Sequence, residues 1–223
     1  MNLLDQSLGQ ISCEIPGATR IFHQHKLDFC CGGQKTLREA ASRRQLDAEA
    51  IAAELASLKP TEATTDWRQA SNSEIIAHII PNFHNLHRQQ FPELIRMARR
   101  VESVHGDNPN CPAGLADALE SMQHELESHM QKEEQVLFPM LSQRSAAQVS
   151  DPILMMRAEH DQHGELLTEV EDLAHDFIPP QGACNTWRAL YLGLDQFRQD
   201  LMQHIHLENN ILFTERESTA IPA

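Results

Sequence analysis

Four segments of this chain carry apolar residues at spacings of three and four, and histidine or glutamate interrupts the apolar stripe in each segment. Such spacing is typical of a helix that buries one face, so the sequence predicts four core-forming helices. A buried charge costs several kcal/mol even after its surroundings relax, whereas a whole domain is stable by only about 5–15 kcal/mol. The fold must therefore give these polar side chains a partner inside the core.

The interrupting residues follow a repeated pattern, in which a lone histidine in one helix precedes a His-x-x-x-Glu pair in the next helix. The six residues are His84, His129, Glu133, His160, His204 and Glu208. Residues four apart lie on one face of a helix, one turn from each other. The pattern predicts two copies of one helical hairpin, and in an up-down-up-down bundle the six side chains reach depths that agree within roughly 10 Å.

These six side chains are the ligands expected of a metal centre. Four imidazoles and two carboxylates are borderline nitrogen and hard oxygen donors, with no thiolate among them. Six ligands suit two ions better than one, with Glu133 and Glu208 as bridges and open positions for water, an oxo or hydroxo group, or a small diatomic ligand. A non-haem centre of two iron ions fits best, while dimanganese and dizinc remain open. The alternative is a set of core histidines and surface glutamates, each satisfied locally.

The sequence predicts an all-α protein with two domains. Residues 1–58 form a small helical domain, 59–70 a linker without apolar periodicity, and 71–217 an up-down four-helix bundle. The helices of the small domain are predicted at 16–26, 37–43 and 48–58. Those of the bundle are predicted at 71–104, 113–143, 150–176 and 183–215.

Composition narrows the partners and the location. The formal net charge is −14, so the surface would repel phosphate backbones and anionic lipid, and we expect neither nucleic acid nor membrane as a partner. No stretch approaches about 18 apolar residues, and the start of the chain lacks the basic and apolar regions of a signal peptide. Five cysteines are an odd number, which favours reduced thiols and a cytoplasmic protein.

Adjacent cysteines in the small domain, Cys30 and Cys31, form a second candidate site. They are predicted to be a catalytic thiol pair that takes up nitric oxide, passes iron or exchanges disulfides. Neighbouring cysteines do not easily form an unstrained disulfide, so a structural bridge is not expected. The alternative is two small, semi-buried residues in a helical turn. Cys13, Cys111 and Cys184 are interpreted as structural.

Other polar residues lie close in sequence to the six proposed ligands. Glu125 and Glu159 are predicted to accept hydrogen bonds from ligand side chains or to hold weakly bound extra iron, unless they are ordinary solvated glutamates. His87 and His163 are either core residues or neighbours of the metal. The remaining histidines are predicted to lie on the surface: His23, His25, His78, His105, His124, His175 and His206.

At these positions the sequence resembles the hemerythrin-like His-His-Glu proteins, and its front end narrows the resemblance. The motifs are Ile15-Pro16-Gly17-Ala18, then Phe22, then Leu27-Asp28-Phe29-Cys30-Cys31-Gly32-Gly33, together with His-x-x-x-Glu-x-x-x-Leu-Phe. This combination is similar to the RIC (Repair of Iron Centres) family across essentially the whole chain. All six ligand positions match, and Pro81 and Thr214 are departures that touch no ligand. Pro81 and Pro92 are also expected to bend the first bundle helix.

The resemblance implies a bacterial cytoplasmic di-iron protein with a hemerythrin-like bundle. It implies repair of iron–sulfur clusters damaged by oxidative and nitrosative stress, through donation of iron to damaged or apo iron–sulfur proteins. Nitric oxide as a further partner and a homodimer are compatible with it. Two alternatives stay open at this point. One is a di-iron oxidoreductase acting on nitric oxide or peroxide, and the other is a sensor of oxygen or nitric oxide, or an oxygen carrier.

Overall fold

The computed structural model describes residues 2–58, 66–143 and 146–214. The chain forms two compact units that do not follow chain order. The first unit comprises Met1–Ile76, Leu141–Ile153 and Met202–Ala223, and the second comprises Ala77–Met140 and Leu154–Leu201. Most of the predicted linker, 59–65, and the predicted bundle end, 215–217, lie outside the described residues.

Short capped helices make up the N-terminal part of the first unit: α1 Leu8–Glu14, α2 Ala18–Gln24, α3 Leu37–Arg43 and α4 Ala48–Ala56. Side chains cap the first turns of α1, α3 and α4, whereas α2 begins after Gly17 without a side-chain cap. Thr36 and Glu39 form a reciprocal capping box at α3, and Asp47 accepts hydrogen bonds from the first turn of α4. Helix α3 has the predicted bounds, whereas α1 was not predicted.

The longer helices follow: α5 Asn72–Ile79, α6 Asn85–His105, α7 Leu115–Lys132, α8 Phe138–Leu141, α9 Ser150–Leu173 and α10 Asn185–Leu207. Within the second unit, α6 contacts α10 through the rings of Phe91 and Phe197, whose centroids are 4.8 Å apart. Arg198 on α10 binds Glu171 on α9 at 3.1 Å, and His129 on α7 contacts α9 as described below.

The all-α fold and the four-helix bundle are thus confirmed. Among the described residues, β-structure is limited to one isolated bridge between Ser7 and Thr36. In the same part of the chain, every helix falls short of the length or apolarity that a bilayer crossing requires.

Three long helical segments change from α to π geometry at predicted ligands. The π segments are Ile80–His84, Glu133–Leu137 and Glu208–Leu212. Such segments are rare and frequently occur at functional sites, because the wider turn changes the direction of the side chains around it. Pro81 lies in the first π segment, where its missing N–H interrupts the α-helical ladder, while Pro92 lies inside α6.

Candidate metal centre

The second unit brings four of the six predicted ligands together. His84 ends the first π segment, His129 lies in the last turn of α7, Glu133 begins the second π segment, and His160 lies in α9. All four are buried, with at most 1% of the residue exposed. The surrounding apolar stripes therefore form the core that the sequence predicts, with the polar side chains inside it.

Ring nitrogens surround the Glu133 carboxylate. Its Oε1 lies 3.3 Å from His129 Nε2 and 4.0 Å from His160 Nε2, and its Oε2 lies 3.5 Å from His84 Nε2. The Nε2 atoms of His129 and His160 are 3.0 Å apart. Neither Glu133 oxygen has a hydrogen-bond partner in the described part of the chain. Lone pairs of several side chains therefore converge on one point, which is the arrangement that a cation stabilises.

The orientation of two rings is set by carboxylates on their far side. His84 Nδ1 lies 2.7 Å from Glu134 Oε1, and His129 Nδ1 lies 2.8 Å from Glu159 Oε2. A carboxylate only accepts, so each Nδ1–H donates, and in the neutral ring Nε2 keeps its lone pair toward Glu133. Glu159 is therefore an acceptor for a proposed ligand, which is one of the predicted alternatives.

Hydrogen bonds from neighbouring side chains favour the charged form of both carboxylates. The hydrogen bond with His129 lowers the pKa of Glu159 to about 2, and Lys132 Nζ lies 2.5 Å from Glu159 Oε1. Burial raises the pKa of Glu134, but hydrogen bonds with His84 and Arg88 outweigh it and keep that pKa below its usual value.

The other polar residues predicted to lie near the ligands differ in how deeply they are buried. His163 is buried with its ring 4.7 Å from the His129 ring, and His87 is buried against Phe197 at 5.4 Å. Glu125 is exposed. His163 thus borders a proposed ligand, while His87 packs in the core.

The remaining predicted ligands, His204 and Glu208, lie in the first unit. His204 is in the last turn of α10, and Glu208 begins the third π segment. Both are buried, and His204 Nε2 lies 3.1 Å from Glu208 Oε1. The spacing of four residues thus places imidazole and carboxylate on one face, as it does for His129 and Glu133.

Comparison with known proteins agrees with this geometry. A family model described as the hemerythrin HHE cation binding domain matches residues 75–215, which is more than half of the chain. The chain belongs to the hemerythrin HHE family. A second model, described as a domain of unknown function, DUF542, matches residues 4–59.

Relatives match almost the full length of this HHE protein. They include proteins named iron-sulfur cluster repair protein YtfE from Yersinia pseudotuberculosis and from Yersinia pestis. Each is 50% identical over 214 residues, which cover 96% of this chain and 97% of the relative. The resemblance found in the sequence is thereby confirmed.

The side chains of the HHE domain fit the cation that the family description names. The decisive feature is Glu133, a buried carboxylate whose two oxygens lack a hydrogen-bond partner among the described residues. An uncompensated carboxylate in a protein interior costs several kcal/mol. His129, Glu133 and His160 each present a ligand atom within 4.8 Å of the others, close enough to bind one ion.

The Cys-Cys segment of this HHE protein lies in a turn organised by Asp28. One Asp28 oxygen accepts from the Cys31 amide at 3.0 Å and the other from the Gly32 amide at 2.9 Å. The two sulfurs are 3.7 Å apart; Cys30 is buried and Cys31 half-buried. Two effects raise the pKa of the Cys30 thiol well above its usual value: a hydrogen bond with Cys31, which is the larger effect, and burial.

Two asparagines that follow Glu208 bind this turn within the first unit. Asn209 donates to the Cys30 carbonyl at 3.2 Å, and Asn210 donates to the Phe29 carbonyl at 3.1 Å. The turn approaches so closely that a Cβ on Gly33 would lie 2.8 Å from Asn210 Oδ1. The thiol turn and the Glu208 segment are therefore held together by backbone-directed hydrogen bonds.

The prediction that His206 lies on the surface is wrong. Only 2% of His206 is exposed, and its ring lies edge-on to Phe29 with centroids 5.6 Å apart. Burial lowers its pKa to about 4. The helical period could not reveal this, because the residues that cover His206 come from the N-terminal segment.

Proposed function

We propose that this HHE protein binds two iron ions through His84, His129, Glu133, His160, His204 and Glu208, with Glu133 and Glu208 as bridges. The observation that carries this proposal is the buried Glu133 carboxylate, which faces three imidazole nitrogens and has no hydrogen-bond partner among the described residues. Oxygen and nitrogen donors without thiolate favour iron over structural zinc. When bound, iron would supply Lewis-acid and one-electron chemistry at the site.

We further propose that the bound iron is cargo, donated to damaged or apo iron–sulfur proteins during repair of clusters harmed by oxidative and nitrosative stress. The name of the relatives, iron-sulfur cluster repair protein, supports this role, because these proteins are half identical to this chain over nearly their whole length. With only two carboxylates among six ligands, the proposed set leaves two ferrous ions incompletely neutralised, which favours their release. We propose that the protein works in the cytoplasm and that nitric oxide is a further ligand. We propose no nucleic-acid or membrane partner, and a homodimer is the assembly to test.

Metal analysis tests the site directly. We expect about two iron ions per chain in wild-type protein loaded anaerobically with ferrous iron, and a large loss in a His129→Leu variant. His124→Leu is the matched control, because His124 is exposed on the same helix, and it should retain wild-type iron. Equal iron in all three proteins, or one ion per chain in wild type and His129→Leu alike, would contradict the paired site.

Iron transfer tests the role. Loaded protein is mixed with an apo-ferredoxin, sulfide and a thiol reductant, and cluster assembly is followed by visible absorbance. Assembly without other added iron supports donation. If the iron stays bound while nitric oxide or peroxide is consumed with reductant over many turnovers, the protein is an oxidoreductase instead. Reversible oxygen binding without transfer would indicate a carrier or sensor.

Cys30 and Cys31 are proposed as the thiol site that assists this transfer. Their sulfurs are 3.7 Å apart, and the turn that holds them is hydrogen-bonded to residues next to Glu208. A Cys30→Ser, Cys31→Ser double variant should bind iron normally but transfer it more slowly, whereas Cys111→Ser should behave as wild type. Transfer at the wild-type rate in the double variant would restrict these thiols to a packing role.

A further inference from the structure

Arg88 connects two carboxylates next to a proposed ligand in the second unit. It lies one helical turn after His84, so both residues share one face of the segment leading into α6. Its Nη1 donates to Glu134 Oε1 at 2.9 Å, while Nε and Nη2 donate to the two oxygens of Glu127 at 2.9 and 3.2 Å. Gln131 also donates to Glu127 at 2.9 Å. Arg88 is thus held by a two-pronged contact with Glu127 while it binds Glu134.

The same Glu134 oxygen binds His84. Glu134 Oε1 accepts from His84 Nδ1 at 2.7 Å and from Arg88 at 2.9 Å. On its face, the His84 ring stacks on Phe138, with centroids 5.6 Å apart and an angle of 23° between the planes. The hydrogen bond and the stacking together restrict the His84 ring to one orientation, in which Nε2 points at Glu133.

The corresponding arrangement at His129 has a different cation behind its carboxylate. There Glu159 is contacted by Lys132, which is 43% exposed and is a flexible point charge. Arg88 is 30% exposed, and its planar guanidinium binds both carboxylates in fixed directions. The carboxylate behind His84 is thus supported by a guanidinium that is itself bound to a second carboxylate, and the carboxylate behind His129 by a single ammonium group.

We propose that Glu134 and Arg88 are positioning residues that orient His84 and thereby set how slowly the ion bound by His84 is released. This inference rests on the proposed function, because it assigns a rate to one of the two proposed ions. A carboxylate on the far nitrogen fixes the ring and makes Nε2 a better donor, and loss of such a partner typically costs about 10–100-fold in metal affinity.

The test is the rate at which a ferrous chelator removes iron from loaded protein. In Glu134→Ala we expect one of the two ions to leave about 10–100-fold faster, while the other keeps its wild-type rate. Glu134→Gln should rescue part of the effect, because its amide oxygen still accepts from Nδ1 but carries no charge. Arg88→Met should speed release of the same ion by a smaller factor than Glu134→Ala does. This variant removes the guanidinium that holds Glu134 but leaves the Glu134 carboxylate that accepts from His84.

Arg96→Met is the matched control. Arg96 lies on the same helix, and within the described ranges its ion-pair partner is the exposed Glu93, so its loss should leave both release rates unchanged. Unfolding of the metal-free variants separates positioning from general weakening of the fold. The inference would be overturned if Glu134→Ala released both ions at the wild-type rate. It would also be overturned if both ions left faster by the same factor and the metal-free variant were less stable than metal-free wild type.

The outcome also distinguishes this inference from the proposed function. Wild-type protein that retains no iron would overturn both. Wild-type protein that retains two ions and transfers them, with a Glu134→Ala variant that releases them at the wild-type rate, would overturn only the positioning role.

Discussion

Replacing Glu133 by leucine should make the metal-free protein more stable while it destroys the site. Glu133 is fully buried, and its two oxygens lack hydrogen-bond partners within the described residues. A buried polar group without a hydrogen-bond partner costs about 1–3 kcal/mol, and an apolar side chain of similar volume at the same position removes that cost. We therefore expect the free energy of unfolding of metal-free Glu133→Leu to exceed that of wild type by about 1–3 kcal/mol.

When iron is present, wild type should become the more stable of the two proteins. At a free iron concentration of about 1,000 times the dissociation constant, binding at one site stabilises the folded wild-type protein by about 4.1 kcal/mol, which exceeds the advantage of the metal-free variant, while the variant itself gains much less from iron. The assay is urea unfolding followed by far-ultraviolet circular dichroism, anaerobically, with ferrous iron or with a strong chelator. For a chain of this length, each kcal/mol also shifts the melting temperature by about 2–4 °C.

Glu120→Leu is the control for this experiment. Glu120 lies on the same helix with its side chain 51% exposed, so its replacement should leave the unfolding midpoint and the response to iron near wild type. A metal-free Glu133→Leu protein less stable than wild type would show that Glu133 is satisfied without a cation. An undiminished gain on adding iron would show that Glu133 is not a ligand. Either result refutes the reasoning.

Other predictions follow from packing and burial. Phe197→Ala should lower the free energy of unfolding by about 3–5 kcal/mol, measured in urea, because the fully buried ring packs on Phe91. Gly9→Ala should destabilise by about 1–3 kcal/mol, since its Cβ would lie 2.5 Å from Asn210 Oδ1; an additional Asn210→Ala change should relieve part of this. Burial raises the pKa of Cys13 from 9.0 to about 11, so its thiolate appears only as the pH rises through 11. Alkylation of Cys13 at pH 8, measured by mass spectrometry, should be about 100-fold slower than that of an ordinary thiol. The contribution of the neutral Cys13 thiol to the free energy of unfolding should be lost as the pH rises from 9 to 11.

Local patterns in the sequence were sufficient for much of the fold. The capping residues Thr36 and Glu39 and the apolar spacing that follows them predict α3 with its observed bounds. The prediction missed α1, although Ser7 caps it by accepting from the Gln10 amide, because Gly9, Ser12 and Cys13 give this segment a lower helix propensity than α3, which has the same length. The π segments were also not predicted, since α and π turns carry similar residues.

The ligands were accessible from sequence because their spacing is a local property of helices. His129 and Glu133 must lie on one helical face, and interruption of an apolar stripe indicates that this face is buried. The structure confirms that both are buried. Their membership in one six-ligand centre with His204 and Glu208 remains a prediction.

What the sequence determined by itself, then, is which faces of which helices are buried and which donors those faces carry, because both depend on residues three or four positions apart. Only the tertiary structure decided which side chains support those donors. Arg88 meets Glu127 and Glu134, and Phe29 covers His206, through contacts between residues far apart in the chain. Such contacts depend on how helices pack, and a helical period records that a face is covered without recording what covers it.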